Sequence, residues 1–358
     1  MKKTLIALMV LVLVVSAAFA GGAQEGGKAA KTDVTVVFVP KLTGNAFFEA
    51  ANEGAQAYAA KHGFSVKYDG NPEASVANQV TIVDNAINSG ADAICVSSVD
   101  ATGLDDIMKE AMKAGLKVVT WDSDVSGDAR SVMVSQGTPD ILGKMLVDML
   151  VDSLKERGKD PSKDAIKYVW HYSQATVADQ NSWQVAGEAY IKKSFPNWIN
   201  VNPSNYYSEQ DAEKAITIGE AILMANPDID GIICNDSTAL PGQAQAAQNL
   251  KMDKNDVSIT GFAPPNSMKN YANAGVLARW GLWDCQIQGA LGCYLAYYLA
   301  SGHDIKVGDK IDVPEIGVVE VLPNTVLDAK AYTAPNSGVV LLPERAVFTL
   351  ENMNNYNF

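Results

Sequence analysis

The feature that most constrains the fold is a repeated alternation of short Val- and Ile-rich runs with longer helical stretches. The run Val34–Val39 predicts a strand, and the segment Ala46–His62 after it has the composition of a helix. The same order continues to a predicted strand at Lys117–Trp121, with glycines such as Gly63 where helices would stop. Strands that alternate with helices in this way predict a parallel sheet with helices on both faces.

A second series of the same kind begins with a predicted strand at Ile166–Tyr172 and a helix at Asp179–Lys193. A chain of 358 residues has room for two domains of about 150 residues each. We therefore predict an α/β protein with two doubly wound parallel-sheet lobes joined by a hinge of several strands. Two late strands, Ala278–Trp283 and Gly317–Leu322, are expected to cross between the lobes. The predicted N-terminal lobe contains residues 32–134 and 285–315, and the predicted C-terminal lobe contains residues 135–284 and 316–358.

The N-terminus has the three parts of a secretory signal peptide. Lys2 and Lys3 precede an apolar run, Leu5–Val15, and small residues surround Phe19 in Ala18-Phe19-Ala20. The apolar run is shorter than the roughly 20 residues that span a bilayer. We expect residues 1–20 to be the signal peptide and residues 21–31 a flexible tether, with an uncleaved anchor as the alternative. The mature protein would be exported to the periplasm or the outer face of the cytoplasmic membrane.

Composition argues against several classes of function. The formal net charge is −13, and loss of Lys2 and Lys3 with the signal peptide would leave about −15, which repels nucleic acid. The three histidines are not spaced as metal ligands, and we predict no metal and no cofactor. Cys285 and Cys293 would lie about 12 Å apart along a helix, too far for a disulfide.

The candidate site consists of polar residues directly after predicted strands, because parallel sheets bind ligands beyond the carboxyl ends of their strands. Carboxylates, amides and hydroxyls dominate the set, and a hydrogen bond to a charged carboxylate contributes about 1.5–3 kcal/mol. Phe48 and Trp283 are weaker candidates, since aromatic faces pack against sugar-like rings. The predicted ligand-binding residues are Lys41, Asp122, Asp179, Gln180, Asn235 and Ser237.

Catalytic machinery is not apparent in the sequence. No nucleophile elbow, phosphate loop or dinucleotide fingerprint occurs in a strand–turn–helix context. Asp122 and Asp179 are considered as a glycosidase carboxylate pair, but they are expected in opposing lobes and nothing else supports hydrolysis. We therefore predict a binding protein and not an enzyme.

At these residues the chain resembles the type I periplasmic solute-binding proteins and, more narrowly, the Lsr-type autoinducer-2-binding proteins. Each matching stretch is short, but their number and order make the resemblance specific. The stretches are Pro40-Lys41-Leu42, Thr120-Trp121-Asp122-Ser123-Asp124, Gln136-Gly137-Thr138-Pro139, Met145-Leu146-Val147-Asp148-Met149, Asp179-Gln180-Asn181, Ala239-Leu240-Pro241, Gly281-Leu282-Trp283-Asp284 and Val340-Leu341-Leu342-Pro343-Glu344-Arg345.

The resemblance implies that the ligand is non-borated autoinducer-2, a cyclised tetrahydroxy-tetrahydrofuran. It implies side-chain contacts from the residues that match the family, namely Lys41, Asp122, Asp179 and Gln180. Two main-chain contacts come from a loop that in the family carries Pro and Ala around an Asp. Here Asn235 and Ser237 stand at those places. If the contacts are main-chain, the substitutions should be tolerated; the alternatives are that the added amide and hydroxyl hydrogen-bond the ligand or tilt the preference toward another sugar.

The expected partners follow from the same resemblance. The lobes of a monomer would close on the ligand and deliver it to a membrane ABC permease and its ATPase. A rhamnose- or pentose-binding protein of the same fold is the main alternative. A sugar-acting enzyme and a sensory partner for a membrane receptor are less favoured alternatives.

Overall fold

The computed structural model describes residues 33–358. The predicted signal peptide and tether, residues 1–20 and 21–31, lie outside this range. Within the described range, no helix is long and apolar enough to cross a membrane.

The elements alternate as the sequence predicts, and the α/β fold class is confirmed. In chain order the strands are β1 (Thr35–Val39), β2 (Ser65–Tyr68), β3 (Ala93–Val96), β4 (Lys117–Trp121), β5 (Val132–Ser135), β6 (Lys167–Tyr172), β7 (Ile199–Asn200), β8 (Tyr206–Tyr207), β9 (Gly231–Cys234), β10 (Ser258–Gly261), β11 (Arg279–Leu282), β12 (Lys310–Val313), β13 (Gly317–Glu320), β14 (Leu322–Pro323), β15 (Gly338–Leu341) and β16 (Ala346–Thr349). The helices are α1 (Ala46–His62), α2 (Val76–Ser89), α3 (Asp105–Ala114), α4 (Pro139–Glu156), α5 (Ala178–Ser194), α6 (Ala212–Ala225), α7 (Ala239–Asn249), α8 (Pro265–Asn273) and α9 (Cys285–Ala300).

The first sheet has seven strands in the order β14-β15-β5-β4-β3-β1-β2. All neighbours are parallel except β14 and β15, which are antiparallel. Strands β3, β4 and β5 are buried along their length or nearly so, as expected for Val- and Ile-rich runs covered on both faces. Helix α9 returns from late in the chain and packs against α1, β3 and β4.

The second sheet has five strands, with β10-β9-β6-β7 in order and β8 paired to the end of β6. Its strands are parallel. Helices cover both faces, because successive side chains of a strand point to opposite sides. Trp170 lies against Gly187 of α5, whereas the next residue, His171, hydrogen-bonds Gln243 of α7 at 3.0 Å.

The late strands differ from the prediction. Residues 316–358 were assigned to the C-terminal lobe, but β14 and β15 belong to the first sheet, where β15 pairs in parallel with β5. The predicted strand Gly317–Leu322 is divided between β13, which forms a hairpin with β12, and the first residue of β14. Only β16 lies beside the second sheet, through its pairing with β11, which in turn bridges to Phe262 at the end of β10.

Helices α1 and α9 approach each other closely at two glycines. A Cβ atom on Gly54 would lie 2.2 Å from the carbonyl oxygen of Gln286, and one on Gly289 would lie 2.1 Å from that of Ala51. Backbone atoms cannot move aside as flexible side chains do. Because glycine has no side chain, α9 can pack closely against α1. Helix α1 follows β1 in the chain and begins beside the candidate site.

The substitution Gly54→Ala tests this contact, because close packing and helix propensity predict opposite changes in the free energy of unfolding. Helix propensity alone would stabilise the protein by about 1 kcal/mol, whereas overpacking costs about 1–3 kcal/mol. We expect the free energy of unfolding in urea to fall. Ala57→Gly, at an exposed position of the same helix, measures the propensity term alone. A more stable Gly54→Ala protein would contradict the close packing.

Candidate functional site

A small cavity lies where the carboxyl ends of strands from both sheets meet. Its lining combines charged and amide side chains with aromatic rings. The lining residues are Lys41, Phe47, Phe48, Asp122, Gln180, Trp183, Gln210, Asn235, Asp236, Ser237, Thr238, Phe262, Leu282 and Trp283. All of the predicted site residues except Asp179 are therefore brought together, including the weaker candidates Phe48 and Trp283.

A buried ion pair forms the first-sheet side of the cavity. Lys41 follows β1 and Asp122 follows β4, and the Lys41 Nζ atom lies 2.8 Å from Asp122 Oδ2. Ser97, which follows the intervening strand β3, donates its hydroxyl to the same oxygen at 2.7 Å. The exposed fractions are only 4% for Lys41 and 5% for Asp122, so both charges depend on each other and on polar neighbours.

The surroundings keep Lys41 protonated. Burial alone would lower the pKa of Lys41, but the negative charges of Asp122 and Asp179 and the hydrogen bond to Asp122 raise it above its usual value. Its ammonium also lies 6.0 Å from the centre of the Phe48 ring. The cation is therefore available to donate hydrogen bonds to a ligand at neutral pH.

The backbone of Asp122 is in the left-handed region, with φ at +59°. This conformation is uncommon for residues other than glycine, although Asp and Asn tolerate it better than most. The Asp122 amide is bonded to the carbonyl of Val134 at 3.2 Å, and the chain turns sharply between Trp121 and Ser123. The turn directs the carboxylate back toward Lys41 at the sheet edge.

Asp179 lies in the first turn of α5. It is half-buried and lines a neighbouring cavity that also contains Asp124 and Arg130. Its carboxylate accepts hydrogen bonds from the Ser123 hydroxyl and, at 3.3 Å, from the Gln136 amide. Burial raises the pKa of Asp179 to about 6, against the opposing charge of Lys41. These bonds tie α5 to the first sheet, and the carboxylate lies close enough to Lys41 for its charge to raise the pKa of that lysine.

Gln180 and Asn235 form a connected pair on the second-sheet side. The Gln180 Oε1 atom accepts from the Ser173 hydroxyl at 2.5 Å, and the Gln180 carbonyl accepts from the Asn235 amide at 2.9 Å. Asn235 is fully buried, and its Oδ1 atom has no hydrogen-bond partner within residues 33–358. The Asn235 side chain is therefore held in place by its amide nitrogen, and its oxygen remains available as an acceptor.

Ser237 connects the two sides of the cavity. Its hydroxyl donates to Asn45 Oδ1 at 3.2 Å, and Asn45 donates to the Thr238 hydroxyl at 3.2 Å. Asn45 also caps α1 by accepting from the Phe47 amide at 2.9 Å. These bonds join the start of α1 to the start of α7 across the mouth of the cavity.

Aromatic rings form the apolar part of the lining. Trp283 lies 5.8 Å from Phe47, 5.9 Å from Trp183 and 5.5 Å from Phe262, measured between ring centres and in edge-on arrangements. The Trp283 Nε1–H donates to Gln288 Oε1 at 2.6 Å, so its indole is fixed. Flat, fixed rings of this kind suit the C–H faces of a small ring-shaped ligand.

Several lining residues were not among the predicted binding residues. Asp236 and Thr238 lie in the same strand-end segment as Asn235 and Ser237, so the segment was found but the full set was not. Gln210 precedes α6 in a loop after β8, where no strand-end pattern marks it. The other unpredicted lining residues are Phe47, Trp183, Phe262 and Leu282.

The charges at the site favour an uncharged ligand. Lys41 faces three carboxylates, those of Asp122, Asp179 and Asp236. Burial raises the pKa of Asp236 to about 6, although the amides of Ala239 and Thr238 and the charge of Lys41 act in the opposite direction. An anion would be repelled, whereas a neutral molecule with several hydroxyls would supply donors to the carboxylates.

Residues 36–304 match the model of the periplasmic binding protein domain. The chain belongs to this family. This periplasmic binding protein is similar to a solved structure of LsrB from Clostridium saccharobutylicum in complex with AI-2, at 66% identity over 91% of this chain and 100% of that one, with a TM-score of 0.90. The resemblance predicted from the short motifs is therefore confirmed.

More distant relatives show the family's breadth. A solute-binding protein from Clostridium phytofermentas with bound L-rhamnose has the same fold, at 20% identity, with coverage of 91% of this chain and 98% of that one and a TM-score of 0.81. A D-ribose/D-allose-binding protein of Pseudomonas aeruginosa is 25% identical over 214 residues, which is 57% of this chain and 63% of that relative.

The raised pKa of Asp236 predicts a pH-dependent stability. Since this pKa rises from 3.8 to about 6 on folding, the native protein binds more protons than the unfolded chain between these values. The contribution of Asp236 to the free energy of unfolding then falls as pH rises through this window, by up to ~3 kcal/mol.

Urea unfolding of the wild type and of Asp236→Asn measures this effect. Asn keeps the oxygen that accepts from the amides of Thr238 and Ala239 but carries no charge. The wild type should lose stability relative to the variant between about pH 4 and about pH 7.5. If the wild type and the variant differ in free energy of unfolding by the same amount at both pH values, the pKa of Asp236 is not raised as stated.

Proposed function

We propose that this chain is the solute-binding component of an ABC importer and that it binds non-borated autoinducer-2 in the cavity lined by Lys41 and Asp122. The observation that carries the proposal is the buried pair of Lys41 and Asp122 facing the polar groups of Gln180 and Asn235. A relative with 66% identity over its full length was solved in complex with AI-2, which supports the same ligand here.

The chemistry of the cavity supports a small neutral polyol. Hydroxyls of the ligand would donate to Asp122 and to the unpartnered oxygen of Asn235, and ligand oxygens would accept from Lys41. The borate diester of the same molecule carries a negative charge, which the carboxylates near the cavity repel.

Hydrogen bonds between the two sides support a closing mechanism. Asn45 contacts Ser237 and Thr238, and Asp179 contacts Ser123 and Gln136, so groups from both sheets meet around the cavity. A ligand that bridges Lys41 and Asp122 on one side and Gln180 and Asn235 on the other would shift the lobes toward the closed form. The closed form would be recognised by a membrane permease that works with an ATPase.

Asp179 takes a supporting role in this proposal. In the closed form it holds Ser123 and Gln136, and Gln136 in turn donates to the Asp122 carbonyl at 3.1 Å. Its loss would affect closure as well as contact with the ligand. We also propose that residues 1–20 direct export, which would place the protein on the side of the membrane where such importers collect solutes.

A rhamnose- or pentose-binding function is the second candidate. The observation that favours it is the departure at Asn235 and Ser237, where the family has Pro and Ala. The relatives that bind L-rhamnose and ribose are much less similar to this chain. None of these relatives is an enzyme, which argues against a sugar-acting enzyme.

Titration calorimetry separates the two candidates. Autoinducer-2 prepared without borate, L-rhamnose and D-ribose would each be added to the purified protein. We expect autoinducer-2 to bind most tightly. Tighter binding of rhamnose or ribose would overturn the proposed ligand while leaving a sugar-binding function.

Lys41→Ala should weaken binding about tenfold or more, the equivalent of one charged hydrogen bond, without unfolding the protein. Asp179→Ala should weaken binding by a similar factor. Lys67→Ala is the matched control, because Lys67 is an exposed lysine on the same sheet that pairs with Asp69. If both test variants bind with unchanged affinity in the same titration, the proposed ligand-binding site is contradicted.

A further inference from the structure

Three buried polar atoms around the cavity have no hydrogen-bond partner within residues 33–358. They are Asn235 Oδ1, Asp236 Oδ2 and Gln210 Nε2, and all three residues line the same cavity. The exposed fractions of these residues are 0%, 7% and 8%. A buried polar group without a partner is unfavourable and rare in folded proteins, so three together in one cavity point to a ligand that satisfies them.

Gln210 is held in place by an unusual backbone. Its φ is +59° and that of Glu209 is +55°, so two consecutive non-glycine residues are in the left-handed region. The Glu209 amide bonds the Ser173 carbonyl at 2.6 Å, and the neighbouring Ser208 is fully buried. Backbone conformations of this kind are unfavourable for residues other than glycine, and they cluster at functional sites. Here the loop brings the Gln210 side chain to the cavity wall.

Asp236 is fixed with equal rigidity. Its Oδ1 atom accepts from the amides of Thr238 at 2.6 Å and of Ala239 at 2.9 Å, at the start of α7. These bonds use one carboxylate oxygen and leave the other without a partner in the cavity lining. The start of the helix therefore orients the carboxylate but does not complete its hydrogen bonding.

We propose that Gln210 and Asp236 are two further ligand-binding residues and that, with Asn235, they set specificity on the second-sheet side of the cavity. The proposal deepens the proposed function, because it concerns the same site and ligand. The three unpaired protein atoms determine which hydrogen-bonding groups the ligand must carry. Two acceptors, on Asn235 and Asp236, need two O–H donors from the ligand, and the Gln210 amide needs a ligand oxygen that accepts.

A pair of hydroxyls on a small ring meets this requirement. Each hydroxyl is both a donor and an acceptor, so two of them can satisfy all three protein atoms. A ligand that lacks one of the hydroxyls would leave a buried acceptor unpaired and would bind more weakly. The site would thus discriminate among neutral polyols by the positions of two hydroxyls and not by overall polarity.

The substitution Gln210→Met removes the donor and keeps the size of the side chain. We expect binding of borate-free autoinducer-2 to weaken at least tenfold in titration calorimetry. The stability of the ligand-free protein should stay the same or rise, because the unpaired donor is gone. A residue with a purely structural role would instead lose stability. Gln248→Met, at an exposed position of α7, is the matched control and should change neither quantity.

The substitution Asp236→Asn replaces the free carboxylate oxygen by an amide nitrogen while the other oxygen keeps its bonds to the helix. Affinity should again fall at least tenfold at neutral pH, with the ligand-free protein still folded. Asp106→Asn, an exposed position on α3, controls for the loss of one negative charge. Affinities within twofold of the wild type in both Gln210→Met and Asp236→Asn would overturn the proposal.

The design separates this proposal from the proposed function. If the wild type binds autoinducer-2 and both variants bind it equally well, the proposed function stands and the added residues are wrong. If the wild type binds rhamnose or ribose instead, the ligand is wrong and the variants are tested with that sugar. If the wild type binds none of the three compounds, both proposals fail.

Discussion

The ion pair between Lys41 and Asp122 is the interaction on which the rest of the site depends. Moving two charges out of water costs several kcal/mol per ion, and their attraction offsets this only with good geometry and further hydrogen bonds. The parallel register of β1, β3 and β4 places the two charged side chains close together. Val39, Val96 and Thr120 lie side by side in β1, β3 and β4, so Lys41, Ser97 and Asp122 emerge together at one edge of the sheet. A change in strand order would leave two buried charges without partners.

The two sides of the cavity differ in how complete they are. On the first-sheet side, the charges of Lys41 and Asp122 are already paired. On the second-sheet side, Asn235, Asp236 and Gln210 each retain an unpaired atom. Under the proposed function, a ligand with several hydroxyls would complete the second side while it exchanges hydrogen bonds with the first. A ligand that bonds to both sides in this way would favour the closed arrangement of the lobes.

Much of the fold and part of the site follow from local sequence. The alternation of Val- and Ile-rich runs with helices predicts the parallel sheets, and the strand ends predict Lys41, Asp122, Gln180, Asn235 and Ser237. The pairing of β15 with β5, and of β14 with β15, was missed, because short strands that join a sheet from far along the chain leave no local pattern. Gln210 was missed because its position depends on a left-handed loop conformation. Such a conformation cannot be predicted from sequence when the residues are not glycines.

The role of Asp179 in ligand binding stays a prediction. Its sequence position does not reveal that its carboxylate also bonds Ser123 and Gln136 on the first-sheet side. The identity of the ligand rests on the family resemblance and on the relative in complex with AI-2, not on the spacing of residues.

A crystal structure of the protein with borate-free autoinducer-2 tests the central claim most directly. The account predicts one ligand in the cavity, with its oxygens within hydrogen-bond distance of Lys41 and Asp122 on one side and of Asn235, Asp236 and Gln210 on the other. A ligand bound elsewhere, or one in this cavity that leaves Lys41 and Asp122 without contact, would contradict it.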